Sequence, residues 1–208
     1  MKFYIISPPT ENINFNPHNF ELISDQIKVD YFQFRPKFSS LAERLIFVEK
    51  YFNDFYEICK KKQIKIIIND DFEIAKKFLF DGIHLGQMDR SCSEAKQSFG
   101  ENFHIGISCK SSIKMYNDAK NSGAKYVAFG PTYKSSTKNH KTIDLKKLSN
   151  LTNSVTLPIT LIGGIKHSNF LKLDKFKPDN IAIIDSLWNY KDGPIKSAEL
   201  FKKKLIGR

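Results

Sequence analysis

The sequence predicts a single-domain α/β protein folded as a closed (β/α)8 barrel, the TIM-barrel architecture. Eight short apolar runs recur along its 208 residues, and most of the segments between them read as helices. The loop after the first run carries Pro8-Pro9-Thr10, not the glycine-rich turn that opens a doubly wound sheet. No linker or shift in composition divides the chain, so one domain is expected over residues 1–208.

The runs are 2–7, 31–35, 65–69, 82–85, 104–108, 126–129, 158–162 and 180–184, each rich in Ile, Val, Phe or Tyr, as buried parallel strands are. The first stops at Ser7-Pro8. The second leads into Gln33-Phe34-Arg35-Pro36-Lys37, where strand alternation puts Gln33, Arg35 and Lys37 on one face and Phe34 on the other. With Phe34 against the helices, an amide and two cations point into the barrel mouth. That suits either a bound diphosphate or an ion-paired rim.

Segment 40–62 is the strongest helix. Ser40 and Glu43 form a capping-box pair, and Leu41, Leu45, Val48, Phe52, Phe55 and Cys59 form one apolar stripe. The third run ends in Asn69-Asp70-Asp71, with Asp71 placed to cap helix 71–80. The fourth ends in His84-Leu85-Gly86-Gln87-Met88-Asp89, where His84 reads as a hydrogen-bonded rim residue more readily than as a ligand. Asp70 and Asp89, on neighbouring strand ends, can share one hard cation such as Mg²⁺.

Helices are expected over 91–99 and 111–122, with Ser108 closing the fifth run between them. The sixth run opens a hydroxyl- and lysine-rich loop, 130–138, which suits an anion-gripping lid or a solvated loop. The seventh ends in Gly163-Gly164 and the eighth in Ile184-Asp185-Ser186, the two loops that commonly form the phosphate site of such barrels. Helices over 168–176 and 197–205 complete the chain.

Composition narrows the function classes. Three cysteines with no CxxC spacing argue against a disulfide framework and give no metal-ligand spacing, which points to a reducing, cytoplasmic setting. No apolar run reaches membrane length, so no membrane partner is expected. The net charge of +11 could serve nucleic acid or anionic substrates. Its clusters at 60–62 and 202–204 sit where helices end, as solvated cations do, and no nucleic-acid-binding motif accompanies them.

Taken in order along nearly the whole chain, these residues resemble the thiamine-phosphate synthase family. The likeness rests on Gln33-x-Arg35-x-Lys37, Ile68-Asn69-Asp70, Gly82-Ile83-His84-Leu85-Gly86-Gln87-x-Asp89, Gly106-x-Ser108, Gly123-Ala124-x-Tyr126, Phe129-Gly130-Pro131, Thr137-Lys138 and Ile162-Gly163-Gly164-Ile165. The resemblance implies Mg²⁺-dependent joining of a pyrimidine diphosphate to a thiazole phosphate, giving thiamine phosphate and pyrophosphate. Diphosphate departs first, and the thiazole nitrogen captures the resulting pyrimidinylmethyl cation.

It further implies that Gln33, Phe34, Arg35, Pro36, Lys37, Asn69, Ser108 and Lys138 hold the pyrimidine diphosphate. Arg35, Lys37, Ser108 and Lys138 are the expected catalytic groups, and Asp70 and Asp89 the metal ligands. Ser135, Ser136, Thr137, Gly164, Ile184 and Asp185 would face the thiazole phosphate.

Two positions depart from the family pattern. Ser135 replaces a threonine and keeps the hydroxyl. Asp185 replaces a serine, and a carboxylate beside phosphate is repulsive. Either Asp185 turns away, with Ser186 or the backbone taking over, or the second substrate differs. The alternatives are the thiazole tautomerase branch of the same barrels, a non-catalytic paralogue, and a basic nucleic-acid-binding protein. The diphosphate clamp speaks against the first, and a homo-oligomer is compatible with all of them.

Overall fold

The computed structural model describes residues 1–134 and 142–207, and within them the strands close into a barrel in sequence order. They are β1 (Lys2–Ile6), β2 (Val29–Phe34), β3 (Lys65–Asn69), β4 (Gly82–Leu85), β5 (His104–Lys110), β6 (Tyr126–Phe129), β7 (Ile159–Ile162) and β8 (Asn180–Ile183). Every pair is parallel, and β8 closes on β1 through Lys2↔Asn180 to Ile5↔Ile183. All eight expected runs are therefore strands. β2 begins two residues earlier than the reading, and β5 runs two further, with an irregular register between Ser108 and Lys110.

The expected helix starts hold where capping chemistry marks them. α2 (Leu41–Lys62) and α4 (Cys92–Phe99) each open on a complete capping box, Ser40/Glu43 and Ser91/Glu94, and Asp71 caps α3 (Phe72–Lys77). The cap of α5 (Ile113–Asn121) is Ser112. In α2, Val48, Phe52, Phe55 and Cys59 are buried as expected. Leu41 is exposed, however, and Phe47 joins the stripe by packing against Phe15 and Phe34.

The segment expected as helix 168–176 is a 3₁₀ helix over Phe170–Phe176. Three helices went unread: α1 (Pro17–Gln26), α6 (Leu145–Asn153) and α7 (Asp185–Trp188). Each buries only two side chains, as α4 and α5 do; α1 and α6 nonetheless open on caps, Asn16 before Pro17 and Asp144, whereas α7 is a single turn with no side-chain cap. The final helix, α8 (Pro194–Ile206), starts three residues earlier than expected.

Alternation along the strands divides the core in two. Outward-facing residues such as Phe3, Phe32, Phe34 and Leu161 pack beneath the helices with Phe15, Phe20, Phe55 and Trp188. Inward-facing Tyr4, Ile6, Tyr31, Ile67, Tyr126 and Ala182 form a smaller cluster inside the barrel. Gly106 makes room for it: a Cβ there would stand 2.0 Å from Tyr126 Cζ.

The terminal lysine clusters bind neighbouring helices. Lys61 pairs with Glu21 at 3.0 Å, Lys62 pairs with Asp25, and Lys202 donates to Gln26. Cys59, Cys92 and Cys109 are free and buried. Among the described residues, no helix is long and apolar enough to cross a membrane.

Candidate active site

A cavity of about 680 Å³ opens at the C-terminal ends of the strands and descends between them to Tyr4 and Thr160. Its walls bring together Gln33, Arg35, Lys37, Asn69, Asp70, Asp89, Ser108, Gly164, Ile184 and Asp185, ten of the residues expected from the sequence. Ser135, Ser136, Thr137 and Lys138 lie outside the described residues. Phe34 corrects the expected set. Its side chain is fully buried in the outer core, because strand alternation turns it away from Gln33 and Arg35. Pro36 stands behind the mouth, lining a shallow depression shared by Lys37, Asp70, Asp71 and Asp89.

The acidic side of the mouth is built by two adjacent strand ends. Asp70 adopts a left-handed backbone (φ 60°), and its N–H donates to the His84 carbonyl at 2.9 Å, which ties the end of β3 to β4. Its carboxylate accepts from Lys37 Nζ at 3.0 Å and from Asn69 Nδ2. The Asp89 carboxylate reaches Asp70 and accepts the Gly86 N–H at 2.6 Å. Burial raises the Asp70 pKa, but the Asp89 hydrogen bond and Lys37 outweigh it and hold it below the usual range. The Asp89 pKa is pushed up, by burial first and then by Asp70.

Two carboxyl groups pressed together at that cost suit a hard divalent cation, which would replace their repulsion with attraction to both. Among the described residues, no group of three or more His, Cys, Asp or Glu could hold a metal. Further oxygen ligands would come from substrate and water.

The Arg35 backbone N–H donates to Ser7 Oγ at 2.8 Å, fixing β2 against the end of β1. Its guanidinium is half-buried, and burial depresses its pKa, an effect partly offset by Asp70. Among the described residues the guanidinium has no ion-pair partner, so it is available to an anion.

Beneath the mouth runs a buried polar line that sequence reading missed. Gln33 Nε2 donates to Tyr4 OH at 2.8 Å, and the Tyr4 and Tyr126 hydroxyls meet at 2.8 Å. Tyr126 OH then meets His84 Nδ1 at 3.0 Å, and His84 Nε2 meets Ser108 Oγ at 2.9 Å. One proton assignment gives every donor a partner: Tyr4 donates to Tyr126, Tyr126 to Nδ1, and Nε2–H to Ser108. The Ser108 O–H is then left to donate into the cavity. Burial pushes the His84 pKa down to about 4, so the ring is neutral, as this assignment requires. His84 is the satisfied histidine expected.

At the opposite wall, Gly163 (φ 105°) and Gly164 (φ 61°) turn the chain out of β7. Glycine at a phosphate site lets the ligand come close to the backbone N–H groups. The structure adds another reason: a Cβ at Gly164 would lie 2.2 Å from the Lys134 carbonyl oxygen, and one at Gly163 would lie 2.4 Å from Pro131 Cβ. The stem of the β6 loop is docked on them, with Thr132 N–H donating to Ile162 and Tyr133 N–H to Gly163. Lys110 and Lys166 also line the cavity and were not among the expected site residues; Lys134, from the expected lysine-rich loop, and Ser186, expected only as a substitute for Asp185, line it too. Position at a strand end was the available signal for Lys110 and Lys166.

The chain matches the family model described as thiamine monophosphate synthase over residues 3–187. It is 38% identical over 190 residues to the thiamine-phosphate synthase of Pelagibacter ubique, covering 90% of this chain and 89% of that protein. The corresponding protein of Lactococcus lactis subsp. cremoris is 31% identical over 182 residues, 85% of this chain and 81% of its own. In fold, the chain superposes on thiamine phosphate pyrophosphorylase from Pyrococcus furiosus with a TM-score of 0.81 and 22% identity, over 99% of this chain and 96% of that one.

Proposed function

Because the chain belongs to the thiamine monophosphate synthase family, we propose that its barrel-mouth cavity is where a pyrimidine diphosphate and a thiazole phosphate are joined. The protein is a transferase of thiamine biosynthesis, and thiamine phosphate is its product. The observation that carries the assignment of roles is convergence. Arg35 and Lys37 from the loop after β2 line the same cavity as Asp70 and Asp89 from the loops after β3 and β4, with Lys37 and Asp70 in contact.

In this reading Arg35 and Lys37 bind the diphosphate and neutralise the charge that grows on it as its bond to the pyrimidinylmethyl carbon breaks. Asp70 and Asp89 would hold Mg²⁺, which when bound supplies further positive charge to the diphosphate oxygens. Ser108, oriented by neutral His84, donates its hydroxyl to the same group. Gln33 and Asn69 complete that side of the site, and Lys138 is assigned to it by family likeness.

The organic ring lies toward Tyr4, Ile6 and Ala182, an aromatic and aliphatic surface that keeps water from the cation left behind. The thiazole phosphate takes the wall of Gly164, Ile184 and Asp185, with Ser135, Ser136 and Thr137 from the β6 loop. The thiazole nitrogen then attacks the cationic carbon, forming the new C–N bond, and no protein nucleophile is needed. The working compartment is the cytoplasm, in keeping with three free buried thiols.

Purified protein given both substrates and Mg²⁺ should release thiamine phosphate and pyrophosphate in equal amounts. Lys37→Gln and Asp89→Asn should each cut turnover at least about tenfold, the loss of one charge-assisted contact in the transition state. Unchanged turnover in both variants would refute the assignment. Bound pyrimidine diphosphate with no product would show that the second substrate differs.

A further inference from the structure

The family pattern puts a serine where this chain has Asp185, and the phosphate wall therefore carries a negative charge of its own. Asp185 Oδ1 accepts from Asn189 Nδ2 at 2.7 Å, and Asn189 Oδ1 accepts from Asn12 Nδ2 at 2.8 Å. The carboxylate thus serves to tie the loop after β8 to the loop after β1, yet it still lines the cavity. A phosphate dianion seated on this wall meets a carboxylate at short range in a partly desolvated space, where like charges repel strongly.

Two cations flank that wall. Lys166 follows the Gly163–Gly164 turn by two residues, and its backbone is fixed by its N–H donating to Asn169 Oδ1 at 2.8 Å. Asn169 in turn donates through Nδ2 to the Gly164 carbonyl at 2.9 Å, so the turn and the base of Lys166 form one hydrogen-bonded unit. Lys134 approaches from the β6 side, its carbonyl packed directly over Gly164. Both lysines line the cavity, and among the described residues neither is held in an ion pair.

We propose that Lys166, acting with Lys134 across the Gly163–Gly164 turn, is the residue through which this chain holds the phosphate of its second substrate beside Asp185. The ligand class is a phosphomonoester dianion on a small cationic or neutral ring. Lys166 and Lys134 together offset the dianion, and the wall then tolerates Asp185, whose carboxylate is needed for loop–loop contact. The proposal rests on the reading of the cavity as a two-substrate site.

The test is a double-mutant cycle on Lys166→Gln and Asp185→Asn, with far-UV circular dichroism and Tm confirming that each variant is folded. Steady-state KM is measured for each substrate, and calorimetry measures Kd for thiazole phosphate alone. Lys166→Gln should raise KM and Kd for thiazole phosphate about tenfold, the weight of one charge-assisted hydrogen bond, with KM for the pyrimidine diphosphate within about twofold. Adding Asp185→Asn should recover part of that loss.

A Lys166→Gln Kd within twofold of wild type would overturn the inference. So would an equal rise in both KM values, or failure of the wild type to bind thiazole phosphate. A wild type that binds thiazole phosphate but forms no product would instead refute the catalytic reading, and the Kd comparison would still decide the role of Lys166.

Discussion

Tyr126→Phe removes one oxygen from the middle of the buried line and leaves the ring, which is fully buried, in place. That oxygen meets Tyr4 OH at 2.8 Å and His84 Nδ1 at 3.0 Å. Tyr4 would keep the hydrogen bond from Gln33 but lose its acceptor, and the buried His84 Nδ1 would lose its donor. Each lost bond is worth about 1 kcal/mol net, and an orphaned buried group adds to that, so the expected destabilisation is about 2–3 kcal/mol. For a chain of this size this lowers Tm by roughly 4–12 °C.

Urea unfolding at pH 8, where the lowered pKa of His84 leaves its ring neutral, reads the change as a shift in midpoint at constant slope. Because His84 orients Ser108, KM for the diphosphate substrate should rise in the same variant. A stability change under about 0.5 kcal/mol would mean the line is not satisfied as assigned, and the inferred direction of the Ser108 proton would fall with it.

His104, at the start of β5 and the opposite end of the barrel from Asp70 and Asp89, gives a pH-dependent prediction. It stacks on Tyr31 and Tyr126 and its Nε2 meets Tyr31 OH at 3.0 Å; burial first, then Lys65 and Lys125, push its pKa down to about 4. The unfolded chain takes up this proton near pH 6.5, so its contribution is complete above that pH and is lost as pH falls from about 6.5 to about 4. Discounted for partial exposure, the loss is about 1–2 kcal/mol. His104→Gln should flatten the wild-type stability curve by that amount in that window, and parallel curves would refute it. Thr160 carries a buried hydroxyl with no partner among the described residues. Thr160→Val should therefore be neutral or stabilise by about 1 kcal/mol, read as a raised Tm; a loss of 1 kcal/mol or more would show that the hydroxyl is bonded.

Phe34 shows how far local pattern reaches: alternation put it on the face opposite Gln33 and Arg35, and the structure shows that face buried against the helices, although the family likeness had grouped it with the substrate-binding residues. Helices were legible where a cap or a long stripe marked them, as at Ser40, Asp71 and Ser91. Caps also stand at Asn16 and Asp144, at the starts of α1 and α6, without a long stripe behind them; α7, one turn long, offers neither cap nor period.

The amino-acid order by itself determined the barrel, because strand alternation and helix capping are decided by residues a few positions apart. It also determined which charged groups stand at the strand ends. Only the tertiary structure decided the line from Gln33 to Ser108, since its Tyr4–Tyr126 contact spans 122 residues and exists only once β1 and β6 face each other across the closed barrel. The same holds for Gly163 and Gly164, whose small size is demanded by a loop from the neighbouring strand. Contacts of that kind depend on how the sheet closes, and no local spacing encodes them.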